Sequence, residues 1–529
     1  MAVHRRRSSA VRLGGSWLAA TLLAACPDPQ ATKKSDPQTT VPSPASVVVH
    51  EVDGDPTHVR VHHAEALVSL DLSKIRTLDL AMSETDRVGQ LADADATTVC
   101  DKLDLLQLAQ RAPGLEALRI SGCPAAVHAG LGAFAKLQRL ELADLAFDGV
   151  TIGAVAQLSQ LRSLTLVRVT ATADPLRPLR ALPLREIVLR SLDKDSEVTR
   201  MLDLWPRSLS RVVLEGAWAG HEAMLTLAKA EALEELELRG TRVANFSLNQ
   251  IKGLSRLRSI VFEGSTFNDK SPLYFRELPM THFVCNCSRF GDGGLRSLRH
   301  SEGLQHVELR ESSITGAGLD VLKKLDLLET LIILDRDIGS EGFAALTQNE
   351  SLRELELSGP LEDTKLSGLG ALQGLQRLRL RHPDITDRSA AELGKLVALE
   401  ALDVSNTKIT DEGLEPLGKL TKLRELRLGR TRVTKRGLQH LVGLTQLQTL
   451  HLDHTDVVDE GVAALAGLPS LRELRLDHTL VTDAVLDTVL SFDKLERLSL
   501  AHTVVTRSAV AKLEALPALD AIDIEGIRE

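Results

Sequence analysis

Residues 399–422 read LEALDVSNTKITDEGLEPLGKLTK, residues 423–446 read LRELRLGRTRVTKRGLQHLVGLTQ, and residues 447–470 read LQTLHLDHTDVVDEGVAALAGLPS. Each begins with a Leu-x-x-Leu-x-Leu block, passes through a Thr and an aliphatic residue, and then often an acid-x-Gly-Leu. The openers Leu399, Leu423, Leu447, Leu471, Leu495 and Leu519 are spaced by 24 residues without a slip. In LRELRL, Leu423, Leu426 and Leu428 point inward while Glu425 and Arg427 face out, the alternation of a strand. Thr410-Asp411-Glu412-Gly413-Leu414 reads as a helix start, with Thr410 as N-cap and acids in the first turn. Leu414, Leu417 and Leu420 then share one helical face. Thr431 recurs at 407, 455, 479 and 503, where a hydroxyl can satisfy backbone groups in the bend after each strand.

A fixed period with this pattern resembles the Thr-Asp-x-Gly-Leu class of leucine-rich repeats, found in F-box-linked and many bacterial proteins. The resemblance implies an α/β solenoid: a right-handed horseshoe with a concave parallel sheet and short convex helices. Working outward, openers fall at Ile75, Leu115, Leu137, Leu161, Leu184, Leu209, Leu233, Leu257, Met280, Leu304, Leu328, Leu352 and Leu375. With the regular run this makes 19 strand blocks, 12 of the 18 intervals being 24 residues. The early intervals wobble, which predicts a less regular first half. The 40 residues from Ile75 to Leu115 hold an insertion at about 81–114, with a helical stretch around Thr97–Arg111. Before the repeats, Val47–Val52 and His58–His62 flank the turn cluster Asp53-Gly54-Asp55-Pro56, so residues 47–74 read as an N-terminal cap built on a hairpin. No F-box-like module precedes them.

Arg5, Arg6, Arg7 and Arg12 lead into an apolar run from Leu13 to Ala25, the form of a secretory signal. It ends Leu23-Ala24-Ala25-Cys26, which resembles a bacterial lipobox and implies cleavage before Cys26 and its lipidation. Residues 26–46 are rich in Pro, Ser and Thr and read as a disordered tether. The expected location is a bacterial cell envelope, lipid-anchored. Pro27 stands where an Asp would signal inner-membrane retention, so the outer membrane is favoured.

The formal charge is −9 over 529 residues, and without residues 1–25 it is −13, from 59 basic and 72 acidic residues. That argues against nucleic acid as partner. The chain has no H-E-x-x-H, G-x-S-x-G or P-loop motif, so no catalytic residue, cofactor or metal ligand is assigned. Function is expected on the concave columns, because the leucines and threonines are committed to structure. The candidate partner-binding residues are Arg377, Arg379, Arg427, His451, Arg475 and Arg497 on the strands, with His382, Arg430, His454, His478 and His502 in a second column just beyond. Three readings stand at this point. One is a scaffold binding a protein through its concave face; another is an envelope enzyme centred on His454, His478 and His502; the third is a spacer without a ligand. Cys285 falls at a core position and leaves Cys287 as a weak redox candidate. Cys100 and Cys123 lie in adjacent early repeats and are candidates for a disulfide in an oxidising periplasm. The last block, Leu519-x-x-Ile522-x-Ile524, leaves an open sheet edge, a docking or dimerisation end.

Overall fold

The computed structural model describes residues 49–51, 57–61, 67, 70–81, 103–123, 125–171, 177–192, 208–216, 219–264, 266–516 and 518–528. The signal segment, Cys26, the tether, Cys100 and most of the insertion lie outside the described residues. Among the described residues the main sheet has 21 strands. It opens with Val49–Glu51 antiparallel to His58–Val61, Val49 opposite Val61. Every later pairing is parallel, from His58–Val61 against Thr77–Ala81 to Arg497–Ser499 against Ala521–Asp523. All 19 blocks from Ile75 to Leu519 form strands of this sheet. The insertion contributes the α-helix Leu105–Arg111, which begins where the Asp104 carboxylate accepts from the N–H groups of Leu106 and Gln107.

Register follows from the repeat. Glu425, Leu426 and Arg427 pair with Thr449, Leu450 and His451, so equivalent positions line up in continuous columns. The inward leucines are fully buried: Leu423, Leu426 and Leu428, with Leu414, Leu417 and Leu420 from the helical side, are all at 0% exposure. Each block therefore packs only on its neighbours, yet one core runs the length of the chain. The irregular early intervals do not shorten the strands. Glu235–Arg239 is five residues long where Glu425–Arg427 is three. On the convex side, 3₁₀ turns such as Arg177–Ala181 and Gly316–Lys324 stand where the regular run has α-helix.

Two hydrogen-bond columns hold the bends. Thr407, Thr431, Thr455, Thr479 and Thr503 are buried, and each hydroxyl donates to the carbonyl three residues back at 2.6–2.7 Å. These carbonyls leave the strand ladder as the chain turns, so the hydroxyl replaces the partner they lose.

The second column explains the Thr-Asp-x-Gly motif more fully than helix capping does. Asp387 accepts from the Thr410 N–H at 2.8 Å and from the Thr410 hydroxyl at 2.7 Å. Asp411 does the same to Thr434, Asp459 to Thr482 and Asp483 to Thr506. The acid of one repeat thus fixes the helix start of the next. The Gly is required by the same contact, since a Cβ at Gly413 would collide with the Asp387 carboxylate and one at Gly437 with that of Asp411. The column has one internal break. Lys435 stands where an Asp is expected, and the residue it would have bonded, Val458, stands where a Thr is expected.

Half of the chain's ten Phe residues pack together in the middle of the solenoid. Phe262, Phe267, Phe275, Phe283 and Phe290 make ring contacts at 3.8–6.3 Å. Beside them Cys285 and Cys287 are bonded to each other and buried. This corrects the sequence reading of Cys287 as a redox thiol: inward Cys285 reaches it across one residue. Cys123 is also disulfide-bonded.

Restoring the broken step tests the Asp–Thr column. Lys435→Asp combined with Val458→Thr is expected to raise stability in urea denaturation by about 1–3 kcal/mol, two hydrogen bonds' worth, more than the sum of the single changes. Strict additivity of the two singles would show that the column contributes nothing.

Candidate protein-docking face

The fourth residue after each opener forms an unbroken outward column, Cα partner to Cα partner, from Asp79 to Asp523. Its character changes along the solenoid. It begins charged at Asp79, Arg119 and Glu141, turns apolar at Val188, Val213, Val261, Val284 and Ile332 with Glu237 and Glu308 between, and becomes charged again from Glu356. Val188 and Val213 are buried although they lie outside the hydrophobic core, on the concave side. The sequence reading considered only the C-terminal half and missed this apolar stretch. Tabulating the same position through the early repeats would have found it.

In the C-terminal half each expected basic residue is on the concave side or its rim, and most are tied to an acid. Arg379 bonds Glu356 at 2.6 Å and lies 3.4 Å from Asp403, which also takes Arg381. Asp403 is buried, and hydrogen bonds from Arg381 hold its carboxyl below the usual range against the opposing effect of burial. Arg377 is exposed on the neighbouring position of its strand. Arg427 pairs within its own strand to Glu425 at 2.5 Å.

Further on, one acid gathers three donors. Glu473 receives His451 at 3.0 Å, Arg475 at 3.0 Å and Arg497 at 2.6 Å. The His451 hydrogen bond, then those of Arg497, depress its carboxyl pKa strongly, with burial working against them. His451 is itself buried, at 7% exposure, and offers little surface to a partner. The Arg475 and Arg497 side chains are 51% and 60% exposed and are the accessible part of the cluster. Sequence alternation showed the charges but not that Glu473 is their common centre.

The second column has a backbone cause. Asn406, Arg430, His454, His478 and His502 all adopt left-handed φ of 54–60°. Asn and Gly tolerate that conformation best, and Gly240, Gly264 and Gly526 occupy the same place in their repeats. His382 does not share it; Pro383 follows, and the ring instead lies near Asp384 at 3.8 Å. The three histidines stack face to face, His454 on His478 at 4.1 Å and His478 on His502 at 4.5 Å, with the Arg430 guanidinium 3.0 Å from His454. Desolvation, then the Arg430 charge, lower the pKa of His454. Parallel rings set their nitrogens side by side rather than toward a common point, and among the described residues no group of His, Cys, Asp and Glu is arranged to hold a metal. The column reads as turn structure reinforced by stacking.

The architecture is that of a leucine-rich repeat solenoid. The profile of a leucine-rich repeat region matches residues 330–528, and comparison with curated proteins finds no match. Among solved structures the chain is similar to TLR13 in a TLR13–ssRNA13 complex, at 15% identity and a TM-score of 0.54, over 87% of this chain and 71% of that one. It is also similar to a Leptospira interrogans LRR protein, at 16% identity and a TM-score of 0.36, over 88% of this chain and 99% of that one. Against an internalin C2 from Listeria monocytogenes the values are 25% and 0.29, over 35% of this chain and 84% of that one.

The Glu473 cluster carries a pH signature. A carboxyl whose folded pKa lies below its unfolded value of about 4.3 stabilises the protein above that value, and the contribution is lost as pH falls through the folded pKa. Glu473→Gln is therefore expected to destabilise by about 1–3 kcal/mol at pH 7, with the difference from wild type shrinking between roughly pH 4.3 and pH 2. Urea titrations of both proteins across that range check it, and a difference independent of pH would remove the charge from the account.

Proposed function

We propose that the chain is a lipid-anchored scaffold of a bacterial cell envelope that docks a protein partner on the concave face of its C-terminal half. The observation that carries the reading is the state of Arg475 and Arg497: Glu473 fixes both, yet half or more of each side chain is open to solvent. A long cationic side chain held in place before binding loses less conformational freedom on contact, and arginines so placed serve as interface anchors. The leucine-rich repeat fold commonly mediates protein binding, and its repeats supply a rigid curved surface whose outward residues set specificity. Dense charge pairing along the same columns favours a partner with complementary polar groups over an apolar one. The stacked histidines, occupied by turn geometry, give the enzyme reading no support.

Two experiments test the parts separately. Affinity capture from envelope extracts, comparing wild type with Arg475→Ala plus Arg497→Ala, is expected to lose its specific partner in the variant while the thermal melt stays cooperative. Recovery of the same proteins by both forms would leave the concave face without a docking role. For the anchor, Cys26→Ser is expected to abolish incorporation of a labelled fatty acid; unchanged labelling overturns the lipobox reading.

A further inference from the structure

Near the N-terminal end of the concave sheet, a cavity of about 300 Å³ is lined by Glu116, Gln138, Arg139, Arg162, Ser163, Arg185 and Glu186. The residues paired with Arg139 on the neighbouring strands are small, Ala117 on one side and Ser163, which lines the cavity, on the other. Both acids are already engaged. Glu116 bonds Arg76 at 2.9 Å, and Glu186 takes Arg211 at 2.5 Å and the Ser163 hydroxyl at 2.6 Å. Arg139, Arg162 and Arg185, exposed and one repeat apart, form no ion pair or side-chain hydrogen bond with any described residue. Two arginines on the Arg139 column are by contrast held by acids, Arg211 by Glu186 and Glu237 and Arg497 by Glu473. In a chain of formal charge −9, three guanidiniums without an acid partner thus converge on one cavity.

We infer that this cavity is a subsite for an acidic peptide segment, carrying at least two carboxylates, of the docked protein. The inference rests on the reading that the concave face binds protein, and it extends the contact to the opposite end of the solenoid. Guanidinium groups match carboxylates in paired N–H···O geometry. Adjacent strands lie about 4.8 Å apart, so Arg139 and Arg185 span roughly 10 Å, enough for two successive acidic side chains. A single carboxylate would leave guanidinium charge unmatched.

Fluorescence anisotropy of labelled hexaglutamate with the full chain tests this. Wild type is expected to bind hexaglutamate and not hexaglutamine, more weakly as salt rises, and Arg162→Ala plus Arg185→Ala to weaken binding by about tenfold or more. Arg436→Ala, on the exposed start of a convex helix, serves as control and is expected to change nothing. Undiminished binding by the double variant, no binding by wild type, or binding of pyrophosphate without hexaglutamate would each overturn the proposal, the last by making the cavity a small-anion site. Because the double variant leaves Arg475 and Arg497 in place, the loss it causes reads this cavity and is distinguishable from failure of the docking reading at those two residues.

Discussion

The parallel, in-register pairing of one short strand per repeat is the constraint on which the rest of the molecule depends. It makes every repeat solve the same two problems: burying its leucines against the next layer, and turning the chain without stranding backbone groups. The first is solved by Leu at fixed inward positions, with 0% exposure through the regular run. The second is harder, because an unpaired buried carbonyl costs on the order of 1–3 kcal/mol. The Thr hydroxyl column answers it inside the bend, and the Asp–Thr column ties each convex segment to its successor. The motif Thr-Asp-x-Gly-Leu is thus a joint between repeats as much as a helix start.

That joint accounts for the paired departure at Lys435 and Val458. An Asp without its Thr would be an acid beside a helix start with nothing to receive, and a Thr without its Asp would lose a bond to both N–H and hydroxyl. Either single departure is expected to be costlier than both together, which fits the loss of both partners at this one step. The left-handed column obeys the same logic on the other side of the strand. A residue at φ near 55° costs about 1–2 kcal/mol unless it is Gly or Asn. Stacking of His454, His478 and His502 offsets part of that by packing three strained residues on one another.

The architecture was nearly all legible from sequence because its cause is local and repeated. Nineteen openers marked nineteen strands, and the recurrent Thr marked the bends. What resisted was whatever depended on a neighbour in the next repeat. Asp411 looked like a favourable charge at a helix N-terminus, and its bond to Thr434 lies 23 residues away. Glu473 looked like one of several alternating charges, and only the register brings His451 and Arg497 from the flanking strands to join Arg475 at it. Cys287 looked free because its partner is two residues back in a position otherwise reserved for Leu. The concave apolar stretch from Val188 to Ile332 was hidden for a simpler reason: an outward Val in a Leu-rich block is easily counted as core.

The concave face therefore has three segments of different chemistry on one rigid column. Uncompensated arginines stand beside its N-terminal end, aliphatic residues occupy the middle, and clustered charge pairs fill the C-terminal half. Charge pairing by itself argues for a passive surface, since exposed ion pairs contribute little and need no ligand. A passive surface, however, has no reason to leave Arg139, Arg162 and Arg185 unpaired while Arg211, one strand on, is shared between Glu186 and Glu237. Nor does it explain aliphatic side chains turned outward between two charged zones. A partner with acidic groups for the N-terminal arginines, apolar groups for the middle and acidic groups again for Arg475 and Arg497 would meet all three segments in order. The register that fixes the fold also fixes their spacing, so one extended partner could engage them without the solenoid changing shape.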